Sequence, residues 1–99
     1  NIKPTTRSLC DALESPAPGE LTFPVLQKTV ADVAVVSEAE VAEAMRYAFA
    51  VLKRVVEPGG AVGLAALLGG KVKFGKEGAT GLMLSGGNVD LDALPWMGA

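Results

Sequence analysis

The stretch AVGLAALLGG, from Ala61 to Gly70, has no polar side chain on any face, and this constrains the fold more than any other feature of the chain. A helix formed there must be covered on nearly every side. The 99 residues allow one domain at most, and a domain of that size buries only about 60 to 70 % of the surface its unfolded chain exposes. Yet 49 % of the residues are hydrophobic. The chain carries more apolar surface than so small a core hides, and the excess is expected to meet another chain or the remainder of a larger domain.

Other partners are excluded by composition. No uninterrupted apolar run reaches the roughly 18 residues of a membrane span, and the start NIKPTTRS has none of the features of a secretory signal, so no membrane partner is expected. Nine basic and eleven acidic residues, a net charge of −2, leave no basic stripe for a nucleic-acid backbone. The single cysteine, Cys10, can make neither an internal disulfide nor a Cys-rich metal site, which points to a reducing, cytoplasmic setting and no metal. Cys10 has no evident base near it in sequence and is a poor candidate nucleophile.

Residues 1–20 hold three of the six prolines and the turn-like SPAPGE, and read as an irregular lead-in to a unit spanning 21–99. Thr22 is placed to cap a short helix beginning near Pro24. Ala31–Ser37, a β-branched run, reads as a strand buried on both faces. Ser37 then opens a capping box with Glu40, and Val41, Ala44, Met45, Ala48, Leu52 and Val55 form the apolar stripe of a helix running to about Val56. Lys53 and Arg54 suit its negative end, and Pro58 bars Glu57 from the helical region. A buried helix follows Gly59-Gly60 and ends at Gly69-Gly70. KVKFGKEG reads as a solvated loop, TGLMLSGG as a second buried strand, and NVDLDALPWM as a last short helix capped by Asn88 or Asp90.

The order is β-α-α-β. Two strands do not make a parallel sheet, which is covered on both faces and has several strands, so the expected α/β fold is the end of a sheet whose remainder lies elsewhere. Either a longer enzyme or association of identical chains would complete it.

EPGGAVGLAAL, Glu57 to Leu67, followed 28 residues after the glutamate by SGGNVD, Ser85 to Asp90, resembles the carboxyl-terminal part of the fold-type II pyridoxal-phosphate enzymes, in particular their serine/threonine dehydratase branch. LTFPVLQKTVADVAVVSEAEV is similar to the segment leading into that part, so the resemblance covers about Ser8 to Asp90. It implies a tryptophan synthase β-like fold and pyridoxal 5′-phosphate as cofactor. It also implies that Ser85 faces the pyridine nitrogen, with Gly86 and Gly87 packing close to the ring. The residues agree: a serine at the carboxyl end of a buried strand points into the crevice where α/β sheets bind ligands, and glycines let backbone approach a flat ring. A neutral hydroxyl would leave the nitrogen unprotonated, a shallower electron sink that suits β-elimination. On its own, Ser85 reads as a hydroxyl satisfying a turn. Glu57 reads equally as a residue fixed by Pro58 or as a carboxylate at the edge of the cofactor. Gly59-Gly60 precede a helix, where an anion can bind, but the family holds the cofactor phosphate in a separate glycine-rich loop, so these glycines read as packing residues.

The departures are as informative. The Schiff-base lysine, the loop over the substrate carboxylate, the phosphate cradle and the acidic metal site of some family members all lie upstream of the resembling part. No catalytic residue is therefore expected within this chain, and the chain alone is expected to be inactive. The resemblance implies a parent ammonia-lyase that converts threonine, serine or a hydroxylated aspartate to a 2-oxo acid and ammonia, as a homo-oligomer. A racemase or β-replacement synthase of the same family is the alternative. From another class, the alternative is a non-enzymatic α/β module whose apolar helix docks on a partner.

Overall fold

The computed structural model describes residues 8–15, 17–73 and 77–97. The first seven residues of the lead-in and the centre of the charged loop, Phe74 to Lys76, lie outside the described residues. Among the described residues there are three α-helices: α1, Phe23–Thr29; α2, Glu38–Tyr47; and α3, Val62–Leu68. A π-helical turn, Ala48–Leu52, extends α2, and 3-10 turns span Asp11–Leu13 and Pro58–Ala61.

The core is the junction of α2 with α3. Val41, Ala44, Met45 and Ala48 on one side meet Ala61, Leu64 and Ala65 on the other, joined by Cys10 and Val56. Four small alanines let the backbones come together, while Val41 and Met45 are the largest side chains fully enclosed. The Ser37 capping box forms as expected. Its hydroxyl accepts from the Glu40 amide at 3.1 Å, and the Glu40 carboxylate accepts from the Ser37 amide at 2.9 Å.

The long helix ends sooner than its stripe suggests. Lys53 adopts the left-handed conformation, φ 57° and ψ 41°, and the Arg54 amide donates back to the Ala48 carbonyl at 2.8 Å. Wider winding through Ala48–Leu52 shifts the register of the side chains. Leu52 and Val55 consequently leave the core and are 41 % and 43 % exposed. Lys53 does serve the helix end, its Nζ donating to the Ala50 carbonyl at 2.7 Å.

At α1 the expected cap is replaced by a turn. Thr22 is already helical, and its hydroxyl donates to the Gly19 carbonyl at 3.3 Å in place of capping. No residue of α1 is buried, and among the described residues it packs on no other helix. The last expected helix is reduced to turns. Asp90 accepts from the Asp92 amide and the Ala93 amide donates to the Asp90 carbonyl, but Pro95 excludes Leu94 from the helical region after one turn.

Neither expected strand forms, and among the described residues there is none. Ala31–Val36 and Thr80–Leu84 lack regular structure; Val36 and Leu84 pack against the core, but other side chains expected to be buried face solvent, Val33 at 78 % exposed, Val35 at 80 % and Met83 at 80 %. A strand is made by its neighbour, and these two segments do not pair with each other. The helix α3, by contrast, is covered around most of its circumference as expected: Leu64, Ala65 and Ala66 are buried, Val62, Gly63 and Leu67 are half-buried, and only Leu68 at its end is exposed.

Candidate functional site

The sequence brings EPGG and SGG together only through folding, because 28 residues separate Glu57 from Ser85. In the structure they touch. Glu57 precedes Pro58 and is held extended, φ −70° and ψ 159°, which aims its amide away from the turn that follows. That amide donates to the Gly86 carbonyl at 3.1 Å, and the Gly60 amide returns to the Glu57 carbonyl at 3.0 Å.

Two glycines make the approach possible. Gly86 has φ 73°, and a Cβ there would run into the Glu57 carboxylate. Gly60 is buried, and a Cβ on it would overlap the Ser85 carbonyl oxygen while lying 2.7 Å from the Ser85 carbonyl carbon and 3.1 Å from Val56 Cγ1. Gly59-Gly60 lie directly before the buried helix and serve close packing, as expected: they form the 3-10 turn that enters it, and Gly60 is the floor on which the Ser85 backbone lies.

Above this contact Ser85, Gly86 and Gly87 are exposed and Glu57 is half-buried. Leu84, just before them, packs against the core and anchors the segment. The Val89 amide donates to the Gly87 carbonyl at 2.9 Å, so the chain turns immediately after the glycines, and Asn88 is exposed at that turn. The arrangement is an open shelf: a hydroxyl, two residues of bare backbone and one carboxylate.

The lead-in is fastened near the start of α2. The Ser8 hydroxyl and the Leu9 amide both donate to the Glu38 carboxylate, which holds its pKa below the ordinary glutamate range, the Ser8 bond first. This anchors Cys10 in the core. Burial there pushes the thiol pKa up, the Glu38 and Asp11 charges push it further, and only the bond with Ser8 opposes them. Such a thiol is a poor nucleophile. The Glu38 link has no signature in sequence, since any exposed first-turn glutamate looks the same. Two cavities of about 380 Å³ lie elsewhere, one between α2 and α3 beside Tyr47 and Leu68, the other beside Cys10 and Val62. Neither is lined by Ser85, Gly86 or Glu57.

The profile of the family described as pyridoxal-phosphate dependent enzyme matches residues 1–86 of this chain, which includes both halves of the shelf as far as Gly86. The chain belongs to that family. Serine racemase of Arabidopsis thaliana is 41 % identical over 95 residues, covering 92 % of this chain and 28 % of its own. L-threo-3-hydroxyaspartate ammonia-lyase of a Pseudomonas species is 39 % identical over 88 residues, 89 % of this chain and 27 % of its own. L-threonine ammonia-lyase of Thermotoga maritima is 38 % identical over 92 residues, 93 % of this chain and 22 % of its own. The chain thus spans about a quarter of the length of these curated relatives. No solved structure matches it.

For the pyridoxal phosphate of this family the shelf is a partial fit. A flat ring needs bare backbone beside it and a polar partner at its edge, and Ser85 with Gly86 and Gly87 offers both. The phosphate and the carbonyl carbon need anion-binding amides and a free amine. Of the described lysines, Lys53 donates to the Ala50 carbonyl, Lys71 pairs with Glu40 at 3.7 Å, Lys28 lies in the last turn of α1 and Lys73 in the charged loop. The described residues suit one edge of the cofactor.

Proposed function

We propose that this chain is the carboxyl-terminal portion of a pyridoxal-phosphate-dependent ammonia-lyase of the serine/threonine dehydratase type, acting on a small hydroxy amino acid. The observation that carries the reading is the docking of Glu57 and Gly60 under Ser85 and Gly86, which gathers the two motifs into one exposed shelf. In this reading the shelf is one wall of the cofactor site. The exposed Ala31–Val36 and Thr80–Leu84 become strands of a parallel sheet once the rest of the enzyme, or of a homo-oligomer, lies beside them.

When bound, the cofactor supplies an electron sink for loss of the Cα proton and the β-hydroxyl. Ser85 holds the ring nitrogen with a neutral hydroxyl and leaves it without a proton. Gly86 and Gly87 present backbone in place of side chains and keep water from the ring edge. Glu57, beside Gly86, fixes the turn and adds one negative charge to the rim of the site. None of these groups abstracts the Cα proton, so the chain alone is inactive.

In the holoenzyme, Ser85→Ala should lower kcat for release of 2-oxo acid and ammonia by about tenfold, roughly 1.4 kcal/mol of transition-state stabilisation, with the melting temperature little changed. An unchanged kcat would remove Ser85 from the site. Incubating this chain alone with pyridoxal phosphate and borohydride should label its exposed lysines without preference for any one; a single specifically trapped lysine would contradict the inactive-portion reading.

The similarity to a serine racemase favours a second reading, in which the same site interconverts L- and D-serine. Chiral separation of the amino acid recovered after partial turnover distinguishes the two. A non-enzymatic module gains nothing from the family assignment.

A further inference from the structure

Gly59 and Gly60 are neighbours in one 3-10 turn, and neither has the positive φ that would by itself demand glycine. Their surroundings differ sharply. A Cβ on Gly59 would lie 3.6 Å from Leu13 Cγ and 3.7 Å from Ala12 Cβ, ordinary contact distances. A Cβ on Gly60 has no place to go, because the atom it overlaps is the Ser85 carbonyl oxygen. Backbone cannot swing aside as a flexible side chain can. Any side chain at position 60 must therefore displace Ser85, or push the turn that begins α3 away from it.

We propose that Gly60 is a positioning residue for Ser85: it sets how deeply the Ser85 backbone sits on the Pro58–Ala61 turn, and hence where the hydroxyl stands relative to a bound cofactor. The inference rests on the assignment of Ser85 to the cofactor ring. It assigns to Gly60 no contact with cofactor or substrate. The Glu57 amide bond to the Gly86 carbonyl, 3.1 Å long, ties down the residue that follows, so Ser85 is held from below by Gly60 and from the side through Gly86. With two such constraints, a shift of the carbonyl is passed to the hydroxyl of the same residue.

The test compares Gly59→Ala, Gly60→Ala, Ser85→Ala and the Gly60→Ala/Ser85→Ala pair in the pyridoxal-phosphate-loaded holoenzyme. It reads kcat, KM, the absorption and fluorescence maxima of the bound cofactor, and the concentration of pyridoxal phosphate needed to half-saturate the apoenzyme. Gly59→Ala should stay within about twofold of the parent in kcat, whereas Gly60→Ala should lose about tenfold in kcat with little change in KM. Gly60→Ala should also move the cofactor maxima in the direction that Ser85→Ala moves them. In the Ser85→Ala background, adding Gly60→Ala should change kcat by less than about twofold, because coupled sites are non-additive.

If Gly60→Ala matches Gly59→Ala in kcat and spectrum, the proposal is overturned and the assignment of Ser85 stands or falls on Ser85→Ala alone. If Gly60→Ala is damaging while Ser85→Ala is not, both are overturned. Should Gly60→Ala fail to accumulate, it is placed on Val56→Ala, which clears the obstacle 3.1 Å away and leaves the Ser85 carbonyl as the nearest one. Loss of kcat and a moved spectrum relative to Val56→Ala alone then support the proposal, and their absence overturns it.

Discussion

Gly86 and Gly60 both exclude side chains, but for different reasons that predict different rescues. At Gly86 the nearest obstacle is the carboxylate end of Glu57, which can rotate away, so the lasting cost of Gly86→Ala is its left-handed backbone, φ 73°. That cost is about 1–2 kcal/mol. Urea melts of the enzyme should show a loss of this size, and Glu57→Ala should not restore it. Recovery in the double variant would mean that the carboxylate, not the backbone angle, sets the requirement. At this scale the sequence shows the pairs Gly59-Gly60 and Gly86-Gly87 and their likeness to a family, so Ser85 and Glu57 are legible as candidates. What it hides is which atom each glycine faces. Glycine looks the same whether the space it leaves is filled by the Ser85 carbonyl, as at Gly60, or lies open to solvent, as at Gly81.

Elements form where their cause is local. The α2 helix is legible because the Ser37–Glu40 box and the stripe from Val41 to Ala48 lie in consecutive residues, and both behave as expected. Ser37→Ala should therefore cost about 1 kcal/mol in a chemical melt, the usual worth of such a cap. The same box makes stability depend on pH. The Ser37 amide, then the Ser37 hydroxyl and the Lys71 charge, hold Glu40 below the ordinary glutamate pKa, and Ser8 and Leu9 do so for Glu38. Groups with a depressed folded pKa stabilise fully above their unfolded pKa, and the contribution is lost as pH falls through the folded value. The urea midpoint should thus be flat near neutrality and drop only on acidification below the ordinary glutamate range, with a shallower drop in Glu38→Gln. An equal slope in that variant would show that Glu38 does not contribute. The strands are illegible for the opposite reason. ADVAVVS and TGLML carry the right residues, but pairing is a property of a neighbour, and neither segment finds one here. The π-helical turn after Tyr47 is also unsignalled, so a stripe read at even spacing overruns to Leu52 and Val55.

The whole molecule is a slab with extents of 42 × 39 × 19 Å and a radius of gyration of 14.7 Å, against about 13 Å for a compact domain of this length. Its accessible surface is 7866 Å², whereas a folded monomer of 10.1 kDa would expose only about 5,300 Å². The excess, about 2,600 Å², is larger than the roughly 800 Å² that each partner buries in a standard protein interface. Much of it is apolar: Leu21, Val25, Val33, Val35, Val51 and Met83 are all more than half exposed. Among the described residues no helix is long and apolar enough to cross a membrane and bury this surface there. Isolated in water, the chain should associate with itself or bind an apolar dye, and sedimentation velocity should show the mean mass rising with concentration. Val33→Lys with Val35→Lys should reduce this association while leaving helix content unchanged, since neither valine touches the α2–α3 core. A chain that stays monomeric and dye-free at every concentration would mean that the exposed surface is tolerated as it stands. Association unaffected by the two lysines would place the sticky face instead on another exposed apolar run, such as α1, Phe49–Val55 or Leu82–Met83.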